Sequence, residues 1–118
     1  MQTKNSYIIV ILLLFIISCN NKSASNSSVA IIPSSKMVEI LTDVHLVEAA
    51  LKQKQERGAN MNFYTPFYYK NIFIKHGINQ QQFRKSLQYY LQKPDKFEKI
   101  YYEVITSLTE IQNKEQAK

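Results

Sequence analysis

Residues 36–58, KMVEILTDVHLVEAALKQKQERG, decide the fold. Met37, Ile40, Leu41, Val44, Val47 and Leu51 recur at intervals of three and four, which places them in one apolar stripe along a helix. Glu39, Thr42, Asp43 and Lys52 lie off that stripe. The pattern predicts a first helix from about Lys36 to Arg57, with Ser34 or Ser35 as N-cap behind Pro33 and Gly58 as the stop.

The rest of the chain continues in the same period. A loop, GANMN (58–62), follows. Thr65-Pro66 then has the form of an N-cap with proline at the first helical position. Phe67 to His76 is apolar on most faces and Gly77 sits where a C′ glycine belongs, so the second helix is expected to be short and central. Asn79 is a good N-cap with Gln82 in the capping-box position, and Ile78 and Phe83 stand as a hydrophobic staple. The third helix is expected to turn Phe83, Leu87, Tyr90 and Leu91 inward. Lys93-Pro94-Asp95 ends it and starts a fourth, whose buried face is Phe97, Ile100, Tyr101, Val104, Leu108 and Ile111. No segment alternates with a period of two between hairpin signals, and the chain has only two glycines. The expectation is an all-α, small four-helix domain over residues 34–113, with a frayed tail at 114–118. About eighty residues support one modest core but no large enclosed cavity.

Upstream of the domain the chain carries an address. Lys4 precedes a continuous apolar run from Tyr7 to Ile17, the length of a signal-peptide h-region and too short to span a bilayer. Ile16-Ile17-Ser18-Cys19 has the pattern of a bacterial lipobox, so residues 1–18 are expected to be cleaved as a signal peptide and Cys19 to be acylated. Two or three acyl chains would anchor the chain stably, at about 0.8 kcal/mol per buried CH₂. Asn20 follows the cysteine in place of aspartate, and no acidic cluster follows it; both favour the outer membrane and its periplasmic face. Residues 19–33 form the lipidated cysteine and a flexible tether with a reach of about 20 Å, and Val29 to Ile32 is a short apolar patch expected to pack back on the domain. Cys19 is the only cysteine, so the lipidated chain has no thiol for nucleophilic, redox or metal chemistry, and no disulfide.

Two strings from the domain, KMVEILTDVHLVEAAL (36–51) and KHGINQQQFRKSLQYYLQKPDKFEKIYYEVITSL (75–108), together resemble small Bacteroidetes lipoproteins grouped as domain of unknown function 4296. The likeness rests on Leu41-Thr42-Asp43-Val44-His45, Glu48-Ala49, His76-Gly77-Ile78, Phe83, Ser86, Tyr89-Tyr90, Pro94 and Ile100-Tyr101. It implies a helical lipoprotein domain in a bacterial envelope, and no activity, substrate or cofactor.

Asp43, His45 and Glu48 are the most chemically suggestive residues. On a helical wheel Glu48 falls within the apolar stripe and His45 borders it, and a buried carboxylate needs a partner. One reading is a His–Glu metal or acid–base site completed by His76; the other is that Glu48 accepts hydrogen bonds from tyrosine hydroxyls or a helix start. His76, beside the helix-ending Gly77, is explained by the helix dipole. No nucleophile elbow or phosphate-cradling glycine loop is present. The chain has eight tyrosines, many in adjacent pairs. Tyr68, Tyr69, Tyr89, Tyr90, Tyr101 and Tyr102 form a candidate interaction surface, with one ring of each pair packed and the other outward.

Formal net charge is +6, lowered by one when Lys4 leaves with the signal. Export argues against nucleic acid as partner, and Lys85, Lys93, Lys96 and Lys99 could meet anionic headgroups or an acidic protein. The functional expectation is a non-enzymatic protein-interaction module with no cofactor beyond the lipid at Cys19, anchored to the outer membrane and holding an envelope protein. The alternative is a binder of a small ligand, lipid or peptide in an interhelical groove.

Overall fold

The computed structural model describes residues 29–118. Residues 1–28, with the expected signal peptide, Cys19 and most of the tether, lie outside the described residues. Four helices follow in chain order: α1 (Ser34–Glu56), α2 (Met61–His76), α3 (Gln80–Leu91) and α4 (Pro94–Gln116). There are no strands among the described residues, and the domain is all-α. No described helix is long and apolar enough to cross a membrane.

α1 is the central element. It packs against both α2 and α4, while α3 packs on α4. Its stripe behaves as the periodicity requires: Met37, Ile40, Leu41, Val44 and Leu51 are buried, and Met37 and Ile40 have no exposed surface. Val38 and Thr42 are buried as well, because α1 has neighbours on two sides. Thr42 was expected off the stripe; its hydroxyl tolerates burial by donating to the Val38 carbonyl one turn back, at 2.8 Å. Ile72 of α2, Tyr90 of α3, and Ile100 and Val104 of α4 complete the core.

Segment ends follow local chemistry, with three departures from expectation. α1 begins at Ser34, and neither serine caps it. Pro33, extended at φ −56° and ψ 149°, presents its carbonyl to the Met37 N–H at 2.9 Å. α2 begins at Met61, well before Thr65, because the Asn60 side chain accepts the Asn62 N–H and the Asn60 carbonyl accepts from Tyr64. Pro66 therefore lies inside the helix. It has no N–H for the carbonyl four residues back, but that residue, Asn62, is exposed to water. Asn79 caps α3 by accepting the Gln82 N–H at 2.8 Å, as expected. The Gln82 amide, however, donates to the Ala30 carbonyl and not back to Asn79.

α2 ends as its glycine predicts. Gly77 adopts the left-handed region (φ 62°, ψ 36°), its N–H bonds to the Ile74 carbonyl and that of Ile78 to Phe73, the pattern of a Schellman motif. α2 is nevertheless not central. Only Ile72 and His76 are buried on it. Leu91, at the end of α3, is also exposed where an inward position was expected, since α3 is covered by α4 on one side only.

The apolar patch before α1 does pack back. Ile32 is fully buried; its N–H donates to the Ser86 hydroxyl at 2.9 Å and its carbonyl accepts from the Tyr90 hydroxyl at 2.7 Å. Residues 30–32 are thus tied to α3 by three hydrogen bonds, counting that from Gln82.

Candidate functional site

The four residues expected to cluster divide into two pairs. Asp43 and His45 are two positions apart on α1, which turns their side chains to different sides of the helix. Asp43 faces the end of α2, where its Oδ2 accepts from Lys75 Nζ and from His76 Nε2, both at 2.7 Å. Glu39 lies 4.0 Å from the other ring nitrogen of His76. The partial burial of Asp43 would raise its pKa, but the hydrogen bonds from Lys75 and His76, and their charges, hold it below the usual aspartate value. His76 is therefore a buried residue whose hydrogen bond to Asp43 links α1 to α2, and not only a favourable end to its own helix. Lys75 was not anticipated; a contact over 32 residues of sequence leaves no local signal.

On the other side, His45 and Glu48 stand next to two tyrosines. His45 Nε2 is 3.0 Å from the Tyr101 hydroxyl, and its Nδ1 is 3.5 Å from Glu48 Oε2. The Tyr69 hydroxyl donates to Glu48 Oε1 at 3.0 Å. The direction of the His45–Tyr101 hydrogen bond depends on which ring nitrogen carries the proton. Glu48 is 52% exposed, contrary to the buried position that the helical wheel gave it. At this level α1 is bordered by an open recess. His45, Glu48, Tyr69 and Tyr101 line that recess with Leu41, Val44, Phe83, Leu87, Leu91 and Phe97, around about 320 Å³. Burial raises the Tyr69 pKa, and the hydrogen bond to Glu48 and its negative charge raise it further. The tyrosine hydrogen bond offered as one reading of Glu48 is the one observed. His76, on Asp43, does not complete a site with it, and among the described residues no three His, Cys, Asp or Glu side chains come together as metal ligands.

The tyrosines do not form one surface. Tyr90 is buried and serves the Ile32 carbonyl, so it is not available to a partner. Tyr89, beside it, is half-buried with Lys93 Nζ 4.4 Å from its ring centroid. Tyr102 is exposed while Tyr101 packs edge-on to His45, so this pair divides into one packed and one outward ring, whereas Tyr89 and Tyr90 both pack against the core. Tyr68 and Tyr69 are both half-buried, Tyr68 against the Phe67 edge.

The larger unpartnered surface is on α2, and it is aromatic without being tyrosine. Phe63, Phe67 and Ile74 are 63%, 51% and 65% exposed, and the Phe63 and Phe67 rings stack at 6.2 Å. This face borders a groove of about 680 Å³ between α2 and α3, lined mainly by apolar residues with Lys70 and Arg84 among them. Reading the α2 start at Thr65 had hidden it. Asn60, in the loop stretch, was the available signal: a cap there puts Phe63 and Phe67 one turn apart on one face.

The family model described as Domain of unknown function (DUF4296) matches residues 29–114. No curated protein and no solved structure matches the chain.

Proposed function

The chain belongs to the DUF4296 family, and with no activity attached to that description we propose that it is an outer-membrane-anchored periplasmic lipoprotein acting as a non-enzymatic protein-interaction module. The observation that carries the reading is the outward face of α2. Three large apolar side chains of α2 are each more than half exposed, and one of them, Ile74, lines an apolar groove. Exposed large apolar side chains beside an apolar groove are costly in water and favour a site for another molecule. The lipobox at Cys19 supports a membrane-proximal position for that surface. The module needs no resident cofactor.

A photoreactive phenylalanine analogue at Phe67 tests the reading in intact cells, with one at exposed Glu110 on α4 as control. The expected result is one dominant protein adduct from Phe67 and none from Glu110, with loss of membrane attachment and of the adduct in Cys19→Ala. Equal labelling from both positions, or none from either, would overturn it.

A second reading is favoured by one observation. His45, Glu48, Tyr69 and Tyr101 converge on the 320 Å³ recess behind the groove, as a small-ligand site would require. Saturable stabilisation of the full chain by a co-purifying metabolite or lipid, lost in Glu48→Gln, would decide for it.

A further inference from the structure

We infer that the groove between α2 and α3 takes an acidic amphipathic helix of the partner protein. The inference rests on the module reading above and gives the chemistry of what the module holds.

The shape of the site comes from the turn at Gly77. Its left-handed conformation sends α3 away from α2, and the two helices enclose a notch without packing closely on each other. Phe73 and Phe83 form its floor, with ring centroids 5.5 Å apart, and Ile78 and Leu87 extend it. At the rim Ile74 is exposed, and Phe63 and Phe67 are exposed further along the same helix, which has sixteen residues and so is about 24 Å long. A small amphiphile could fill the floor, but it would leave the Phe63 and Phe67 rings in water. A helix of four turns, with anchors at i, i+3, i+4 and i+7, covers floor and rim together.

Charge selects the sign of that helix. The only charged residues lining the groove are Lys70 and Arg84, both exposed and neither in an ion pair among the described residues. Lys75, close by in sequence, is already engaged with Asp43. An apolar notch flanked by two unpaired cations and no carboxylate complements an apolar stripe bordered by Glu or Asp, and disfavours one bordered by Lys.

The test uses the full lipidated chain in nanodiscs of zwitterionic lipid, with empty nanodiscs as the blank. The probes are two synthetic amphipathic helices of about 18 residues with the same leucine stripe, flanked by Glu in one and by Lys in the other. Each carries a photoreactive leucine and a fluorophore. The expected result is that the Glu peptide binds about tenfold or more tighter than the Lys peptide, that its cross-links fall within residues 63–87, and that Lys70→Glu with Arg84→Glu reverses the preference while the helical circular dichroism is kept. Equal affinities, a preference for the Lys peptide, cross-links elsewhere, or binding by palmitate while neither peptide binds would each overturn it. If the peptides fail but the Phe67 adduct persists in cells, the acidic helix falls and the module stands. Loss of both removes the module as well.

Discussion

Ser86→Ala should destabilise the domain, although it replaces a helix-interior serine by the best helix former. Ser86 has no exposed surface, and its hydroxyl both accepts the Ile32 N–H at 2.9 Å and donates to the Gln82 carbonyl at 2.8 Å. The substitution leaves the Ile32 N–H buried without a partner, at a cost of about 1–3 kcal/mol. Higher helix propensity offsets about 0.5 kcal/mol of this. The net loss is then about 0.5–2.5 kcal/mol, and with a urea m-value of about 1 kcal/mol/M the midpoint falls by about 0.5–2.5 M. Ser107→Ala is the matched control, since Ser107 makes the same bond to its own helix, to the Glu103 carbonyl at 2.9 Å, but at a half-buried position where it accepts from no other segment. It should leave the midpoint unchanged or raise it slightly. The assay is urea unfolding of the full chain in non-ionic micelles, followed by circular dichroism, with hydrogen exchange of the Ile32 amide as a local readout. If Ser86→Ala behaves like Ser107→Ala and the Ile32 amide stays protected, the docking of residues 30–32 does not depend on this bond and the reasoning fails.

Three further predictions follow from polar contacts and backbone geometry. The pKa of Asp43 is lowered in the fold, so its contribution is complete above the ordinary aspartate value of 3.8 and is lost as pH falls below it. Asp43→Asn should therefore cost about 1–3 kcal/mol at neutral pH and flatten the acid limb of the urea midpoint plotted against pH; an unchanged limb would show that the Lys75 and His76 bonds do not matter in solution. Glu48→Gln removes a charge that helps to raise the Tyr69 pKa, so phenolate absorbance should show one tyrosine titrating at lower pH than in the parent chain, with burial retaining part of its elevation. A Tyr69→Phe background should erase that difference. Gly77→Ala meets no atom within 4 Å of the new Cβ, so its penalty is the left-handed backbone alone, about 1–2 kcal/mol, and unfolding midpoints should show Asn costing less than Ala there.

What could be read in advance was whatever is local. The α1 stripe, the Asn79 cap, the Gly77 stop and the Ile100/Val104 face each depend on residues within a turn or two, and each appears where the spacing puts it. Thr65-Pro66 misled because a proline after a threonine has the same form at a helix start as five residues inside one. Only the Asn60 bond and the exposure of Asn62 decide between them. Glu48 and Leu91 misled for a different reason. A helical wheel gives a direction, and whether that direction is buried depends on what neighbouring helix reaches that level; here an open recess does. The Asp43–His76 pair and the Tyr101–His45 contact, 33 and 56 residues apart, are products of the packing and leave no trace in the pattern.

α3 carries two separate sets of contacts on one short helix. Gln82, Ser86 and Tyr90, at successive intervals of four, hold the segment that leads back towards Cys19. Phe83 and Leu87, each one residue further on and so about 100° round the helix, line the groove. The tether of the proposed arrangement therefore leaves the domain along one face of α3, while the groove stays open on the next. A partner helix can enter without displacing residues 30–32, whose three hydrogen bonds all go to α3 and none to α2. The separation has a sharp consequence. Ser86→Ala should loosen the Ile32 segment while leaving Phe67 adduct formation intact, whereas Lys70→Glu with Arg84→Glu should do the reverse. A single substitution at Ser86 that abolished both would mean that α3 does not keep the two faces apart.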